Sequence, residues 1–180
     1  LLAAATRTPA FSARAFNRAG LLWREQGDAA QALEAFRSAV RADPSLVEAY
    51  EGAASILADQ GADRELVELI EMRLAAGAEP AEIARLHARM ADLQLKLADR
   101  AGAKRTLVQA MEVDPDNVSH VQTLVDLYIG DKEYDEAAEA LLRLAKMTAS
   151  RTALRDILYR LGELYDRELA NPQRAEAAYR

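Results

Sequence analysis

The stretch "FNRAGLLWREQGDAAQALEAFRSAVRADP", residues 16–44, holds two apolar faces separated by a stop signal. In its first half Phe16, Ala19, Gly20 and Trp23 recur at spacings of three and four, and in its second half Ala32, Phe36 and Ala39 do the same. Between them "EQGDAAQ" supplies Gly27 as a helix stop and Asp28 as a new start. The unit reads as a helix hairpin closed by Asp43-Pro44. Gly20, Ala32 and Ala39 are small enough to let two antiparallel helices approach closely, with Phe16, Trp23 and Phe36 filling the space on either side.

The hairpin repeats along the chain. Residues 87–115 supply His87, Met90, Ala91, Gln94, Ala103, Leu107, Ala110 and Pro115 at the same places, with Gln94 a weak occupant of the aromatic one. Residues 121–148 supply Val121, Leu124, Val125, Tyr128, Tyr134, Ala137, Leu141 and Leu144, and residues 158–179 supply Leu158, Leu161, Gly162, Tyr165, Ala175 and Tyr179 with one extra residue in the turn. Residues 50–73 are the most degenerate. There Tyr50, Ala53, Ala54, Leu57, Leu66 and Ile70 fit, but Arg73 stands where a small residue is expected.

The aromatic places, Trp23, Leu57, Gln94, Tyr128 and Tyr165, are separated by 34, 37, 34 and 37 residues. Two hairpins therefore make a 71-residue superunit, which is also the distance from Pro44 to Pro115 and from Pro9 to Pro80. A paired duplication accounts for this period. The extra residues fall in "AAGAEPAE" and "KMTASRTA", and these long connections are expected to loosen or reorient the stacking that the short Asp-Pro connections fix.

Phe16, Ala19, Gly20, Trp23, Ala32, Phe36, Ala39 and Pro44 resemble the signature of the tetratricopeptide repeat, a helix–turn–helix unit of about 34 residues. The departures are Ala19 for Leu and Trp23 for Tyr. The resemblance implies an all-α fold, a right-handed superhelical solenoid of antiparallel helix hairpins with about five repeats. The expected organisation is a single solenoid over 1–180, with repeats at 13–46, 47–80, 84–117, 118–151 and a truncated 155–180. Residues 1–9 then read as the tail of a preceding repeat, and the chain is expected to be a segment of a longer array. Ends cut inside repeats lack a polar cap and are expected to expose apolar residues, open to homotypic stacking.

Composition agrees with helix: the chain is 51% hydrophobic and 29% charged with only eight Gly and five Pro. A formal net charge of −6, with acids and bases interspersed, does not indicate nucleic acid as a partner. No stretch approaches the roughly 20 apolar residues of a membrane span, so direct membrane insertion is not expected. The absence of Cys excludes disulfides and thiolate metal sites and leaves the compartment open, cytosol or periplasm alike. The excess of Arg over Lys and the abundant Ala resemble proteins of GC-rich bacterial genomes.

Catalysis finds no footing in the pattern. His87 occupies a core place and His120 lies one residue off that face, in no metal-ligand spacing. No phosphate loop, nucleophile elbow or calcium loop is present, and no cofactor or metal site is expected. Binding is the expected activity, because in stacked hairpins the first helices line a concave face whose side chains are spared from packing. By helical phase that face carries Arg14, Asn17, Leu21 and Arg24, then Glu48, Glu51 and Ser55, then Arg85, Ala88, Arg89 and Asp92. Ser119, Gln122 and Asp126 follow, and then Asp156, Tyr159 and Glu163. The groove reads as basic at one end and in its middle, and acidic toward the C-terminal end.

The resemblance implies a protein or peptide as the partner held in this groove. In some members of that family a clamp of Lys and Asn holds a peptide carboxylate; here Arg85 and Arg89 suit such a group, but Asn17, Leu21 and Gly52 fill the other places. Two further readings stand beside the scaffold. One is a self-assembly module of a larger repeat protein. The other is a regulatory array fused to a catalytic or membrane domain outside this segment.

Overall fold

The computed structural model describes residues 9–180, so the expected tail at 1–9 lies almost wholly outside the described residues. Ten α-helices and no strand occur among them. They run α1 (Pro9–Glu25), α2 (Ala29–Ala42), α3 (Val47–Asp59), α4 (Asp63–Ala75), α5 (Pro80–Lys96), α6 (Arg100–Val113), α7 (Val118–Gly130), α8 (Tyr134–Met147), α9 (Arg151–Arg167) and α10 (Pro172–Tyr179). They form two compact units. The first comprises residues through Leu86 with Asp92–Ala98, and the second comprises His87–Ala91 with Asp99–Arg180.

One turn chemistry closes the hairpins. The carbonyls of three aromatic-place residues accept an N–H from five residues on: Trp23 from Asp28 at 3.0 Å, Leu57 from Ala62 at 3.0 Å and Tyr128 from Glu133 at 2.9 Å. In the last hairpin, with its extra residue, Tyr165 accepts from Asn171 at 2.8 Å. Such closures need a left-handed residue, and Gly27 (φ 78°) and Gly61 (φ 66°) provide it without strain. Ala98 (φ 59°), Lys132 (φ 61°) and Ala170 (φ 46°) adopt the same region at a cost of about 1 kcal/mol each. Three of the second helices then restart on side-chain caps, with Asp28, Asp99 and Asn171 accepting from the backbone N–H of Gln31, Gly102 and Arg174, while α4 and α8 start without one.

In the first unit, α1 packs on α2, α2 on α3, α3 on α4, and α1 touches α3. Phe36 of α2 is the wedge. It is fully buried, and a Cβ placed on Gly20 of α1 or Gly52 of α3 would stand 2.7 Å from its ring. Both glycines are therefore space reserved for one aromatic side chain, and Gly52, which stands at a clamp place by the resemblance, belongs to the core. Phe16 and Trp23, expected to flank this contact, are instead 44% and 39% exposed.

Arg73 corrects two expectations together. It is not a misfit in a small-residue place but a buried cation, its side chain 5% exposed. Its guanidinium forks onto Glu82 of α5, Nε to Oε1 at 2.8 Å and Nη2 to Oε2 at 2.9 Å, while Nη1 donates to the Gly77 carbonyl at 3.1 Å. The connection at 76–79 is thus tied to both helices that it joins, rather than loosened. Nor is it long, for the extra residues of the repeat extend α5 and α9 to 17 residues against 13 in α3 and α7. The connections at 76–79 and 148–150 are no longer than the Asp-Pro ones at 43–46 and 114–117. A bidentate pair taken out of water holds only while both partners stay; loss of one costs about 3–5 kcal/mol.

In the second unit α6 packs on α7, α7 on α8, α8 on α9 and α9 on α10. Val125, Ala137, Leu141, Leu161 and Tyr165 form its core. The start of α6 is tied to the α7–α8 turn by ions: Arg100 to Asp131 at 2.6 Å, and Lys104 to Asp131 at 2.9 Å and Glu133 at 2.7 Å. Hydrogen bonds from Lys104 and Arg100 hold the Asp131 carboxyl below its ordinary pKa. Burial works to lower the Lys104 pKa, but the bonds to Glu133 and Asp131 outweigh it and the net direction is upward.

Candidate functional site

Phase places the candidate groove residues on α1, α3, α5, α7 and α9, and their surroundings differ between the units. In the first, Arg14, Arg24, Glu48, Glu51, Ser55 and Arg85 are exposed, and none of these charges has an ion-pair partner among the described residues. Arg24 lies 5.9 Å from the centroid of the Phe36 ring, a cation–π contact. Asn17 and Leu21 are half-buried. The Asn17 side-chain oxygen is buried without a hydrogen bond, so this amide packs between helices more than it faces out. Asp92 is exposed within the first unit and Arg89 within the second.

In the second unit the acids are answered by arginines. Asp126 pairs with Arg160 at 2.7 Å, Asp156 with Arg155 at 3.0 Å and Glu163 with Arg167 at 3.0 Å. The acidic character read from Asp126, Asp156 and Glu163 is therefore offset locally. Phase assigned the groove residues but left out Arg155, Arg160 and Arg167, which reach them along or between helices.

Gln122 and Asp156 do come together. They stand on the wall of a cleft of about 540 Å³ bounded by α7, the end of α8 and the start of α9. Leu141 and Leu144 form its buried floor, and Val118, Met147 and Ile157 add apolar wall. Arg160, missed by sequence, stands at its edge. Tyr159 is placed elsewhere: 58% exposed, it stacks obliquely on Tyr179 of α10 with ring centroids 5.6 Å apart and lines a separate hollow of about 340 Å³.

The two histidines also lie in the second unit. His87 is half-buried; His120, expected off the face, is only 6% exposed. The Nδ1 of each is buried without a hydrogen-bond partner. Burial lowers the His87 pKa below its ordinary 6.5, the Glu112 carboxylate opposes this, and His120 adds to it. Among the described residues no helix is long and apolar enough to cross a membrane.

Residues 13–46 match the family model of the tetratricopeptide repeat. The chain thus carries a tetratricopeptide repeat at 13–46. Its fold likeness to solved structures of this kind extends over nearly the whole length. YrrB, described as a TPR protein with an unusual peptide-binding site, is 20% identical with a TM-score of 0.56, over 91% of this chain and 80% of that one. MamA from Desulfovibrio magneticus RS-1 is 17% identical with a TM-score of 0.51, over 93% of this chain and 91% of that one. PilF of Pseudomonas aeruginosa is 16% identical with a TM-score of 0.51, over 93% and 88%. No curated protein matches by sequence. At these identities the likeness is one of fold. Tetratricopeptide repeats typically mediate protein–protein contact and are generally non-catalytic, which is the coarse function that the repeats bring with them.

Proposed function

We propose that this tetratricopeptide-repeat chain is a protein-interaction scaffold whose first helices bind a peptide or a segment of a partner protein, without catalysis. The observation that carries this reading is the open cleft among Gln122, Leu144 and Ile157, an uncovered apolar concavity walled by the first helices α7 and α9 and floored by the end of α8. Its volume falls in the roughly 300–1,000 Å³ range of ligand pockets. The unpaired charges of Arg14, Arg24, Glu48, Glu51, Arg85 and Arg89, with Asp92, add polar contacts that can select a ligand.

Selection of a displayed library of random twelve-residue peptides on the immobilised chain tests the reading. Selected peptides should bind the chain in solution and lose affinity on Glu51→Lys, in the first unit, or Gln122→Lys, in the second. Peptides that ignore both substitutions would bind off the first-helix face and overturn it.

A second reading has its own observation. On α1, Phe11, Phe16, Leu22 and Trp23 are between 39% and 51% exposed, more large apolar surface than one helix usually leaves to water. Homotypic association through α1 would cover it. Light scattering across a concentration range should then show a mass that rises with concentration and returns to the monomer on Trp23→Ser; a constant mass removes this reading.

A further inference from the structure

The 71-residue period makes the junctions before α5 and α9 comparable residue by residue. Arg73 and Glu82 at the first correspond to Leu144 and Ala153 at the second, and both of the latter line the cleft. Where the first junction is filled by a guanidinium–carboxylate fork, the second carries a leucine and an alanine, which together supply less volume and no polar group. The cleft therefore stands where a side-chain pair has been exchanged, not where the helices pack carelessly.

The surroundings specify what fits there. The floor is apolar, so a charged or strongly polar group would lose its hydration without replacement. The charges at the edge are already neutralised within the fold, Asp126 by Arg160 and Asp156 by Arg155, so neither sign of ligand charge is favoured. Met147, unbranched and adaptable, forms one wall and can follow side chains of different shape. Gln122 is half-buried on the opposite wall and makes no hydrogen bond within the described residues, leaving a carboxamide able to donate to a carbonyl and accept from an N–H. Those are the two groups of a peptide backbone. The other large hollow of this unit, between α8 and α10, is rimmed by Asp135, Glu139 and Arg174 and lacks this combination.

We propose that this cleft is an anchor pocket for one neutral apolar side chain, leucine, methionine or phenylalanine, of an extended peptide whose backbone bonds Gln122. The inference rests on the scaffold reading and adds to it the chemistry of the ligand at one position. The first unit, with its junction filled, contributes charge selectivity but no equivalent anchor.

The test uses the full chain and the random twelve-residue library. Peptides selected on the wild type should share a leucine, methionine or phenylalanine at one position, and its replacement by aspartate should weaken binding about tenfold or more. Two variants close the cleft. Ala153→Phe fills it from the wall, and Leu144→Arg/Ala153→Glu fills it with the pair that the first junction already accommodates. Circular dichroism and thermal melting identify which is folded, and selection on a folded variant should lose the apolar preference. Peptides that bind without an apolar position, or keep it on the filled variant, overturn the anchor pocket while leaving the scaffold intact. If the wild type selects no peptide at all, the scaffold reading and the pocket fall together.

Discussion

The connections that precede α5 and α9 solve one geometrical problem in opposite ways. At 76–79 a buried arginine reaches across the connection and grips Glu82 in the next helix and the Gly77 carbonyl on the way. At 148–150 the corresponding residues are Leu144 and Ala153, the connection is held only by its own short-range bonds, and a cleft of about 540 Å³ remains. Junctions 71 residues apart thus differ by one side-chain pair, one holding a fork and the other a cleft. Since neither connection is longer than the Asp-Pro ones, what spans a connection, and not its length, decides how it is held.

The largest expected effect breaks the first joint. Glu82→Ala leaves Arg73 buried and unpaired and should lower the stability of the chain by about 3–4 kcal/mol in urea unfolding. A loss under about 1 kcal/mol would mean that the fork is incidental and the two junctions are held alike.

Next in size is the transplant. Leu144→Arg alone puts an unpaired cation on the floor of the second cleft and should cost about 3 kcal/mol, of which Ala153→Glu should restore about 2 kcal/mol. Full additivity in that double-mutant cycle would show that the two positions do not meet as Arg73 and Glu82 do, and the residue-by-residue equivalence would fail.

How far the amino-acid sequence foretells these joints depends on the range of the interaction. The hairpins were legible because Phe16 to Pro44 carries a local period, and the 71-residue superunit was legible because it is a regularity of positions. Arg73 was visible only as an intruder in a small-residue place, since its partner lies nine residues on, across a connection whose path helical phase does not encode. The acidic end of the groove misread the charge for a related reason: Asp126 is answered by Arg160, from another helix, 34 residues away. Phe16 and Trp23 met their template yet stay exposed, because a signature assigns a face and not the neighbour that covers it. Gly52 stood at a clamp place by resemblance to the family, whereas the Phe36 ring claims its space.

A smaller effect separates the units by acidity. Both histidines of the chain lie in the second unit, and burial depresses the His87 pKa below 6.5. Protonation then favours the unfolded chain, so the contribution of His87 is intact above pH 6.5 and is lost as the pH falls through its lowered folded value. The urea midpoint should drop between pH 6.5 and 5 in the wild type, with amide protection lost first around α5 and α7. His87→Gln should flatten that slope. An equal loss of protection in α1–α4 would show that acid acts on the chain as a whole, not through His87.

The smallest effect concerns how the helices after the two connections begin. Helix α5 starts on Pro80, whose fixed φ suits a first turn and whose missing N–H needs no partner, and Glu79 before it makes no side-chain cap. Helix α9 instead starts on Ser150, whose hydroxyl accepts from the Ala153 N–H at 3.4 Å. A bond that long lies at the weak end of capping, so Ser150→Ala should cost about 0.5 kcal/mol, and Glu79→Ala less still. A cost above about 1.5 kcal/mol for Ser150→Ala would mean that the cap, and not the Leu141 and Leu144 floor, sets the position of α9. The cleft would then owe its opening to the connection, and the contrast with the Arg73 joint would be one of capping, not of side-chain exchange.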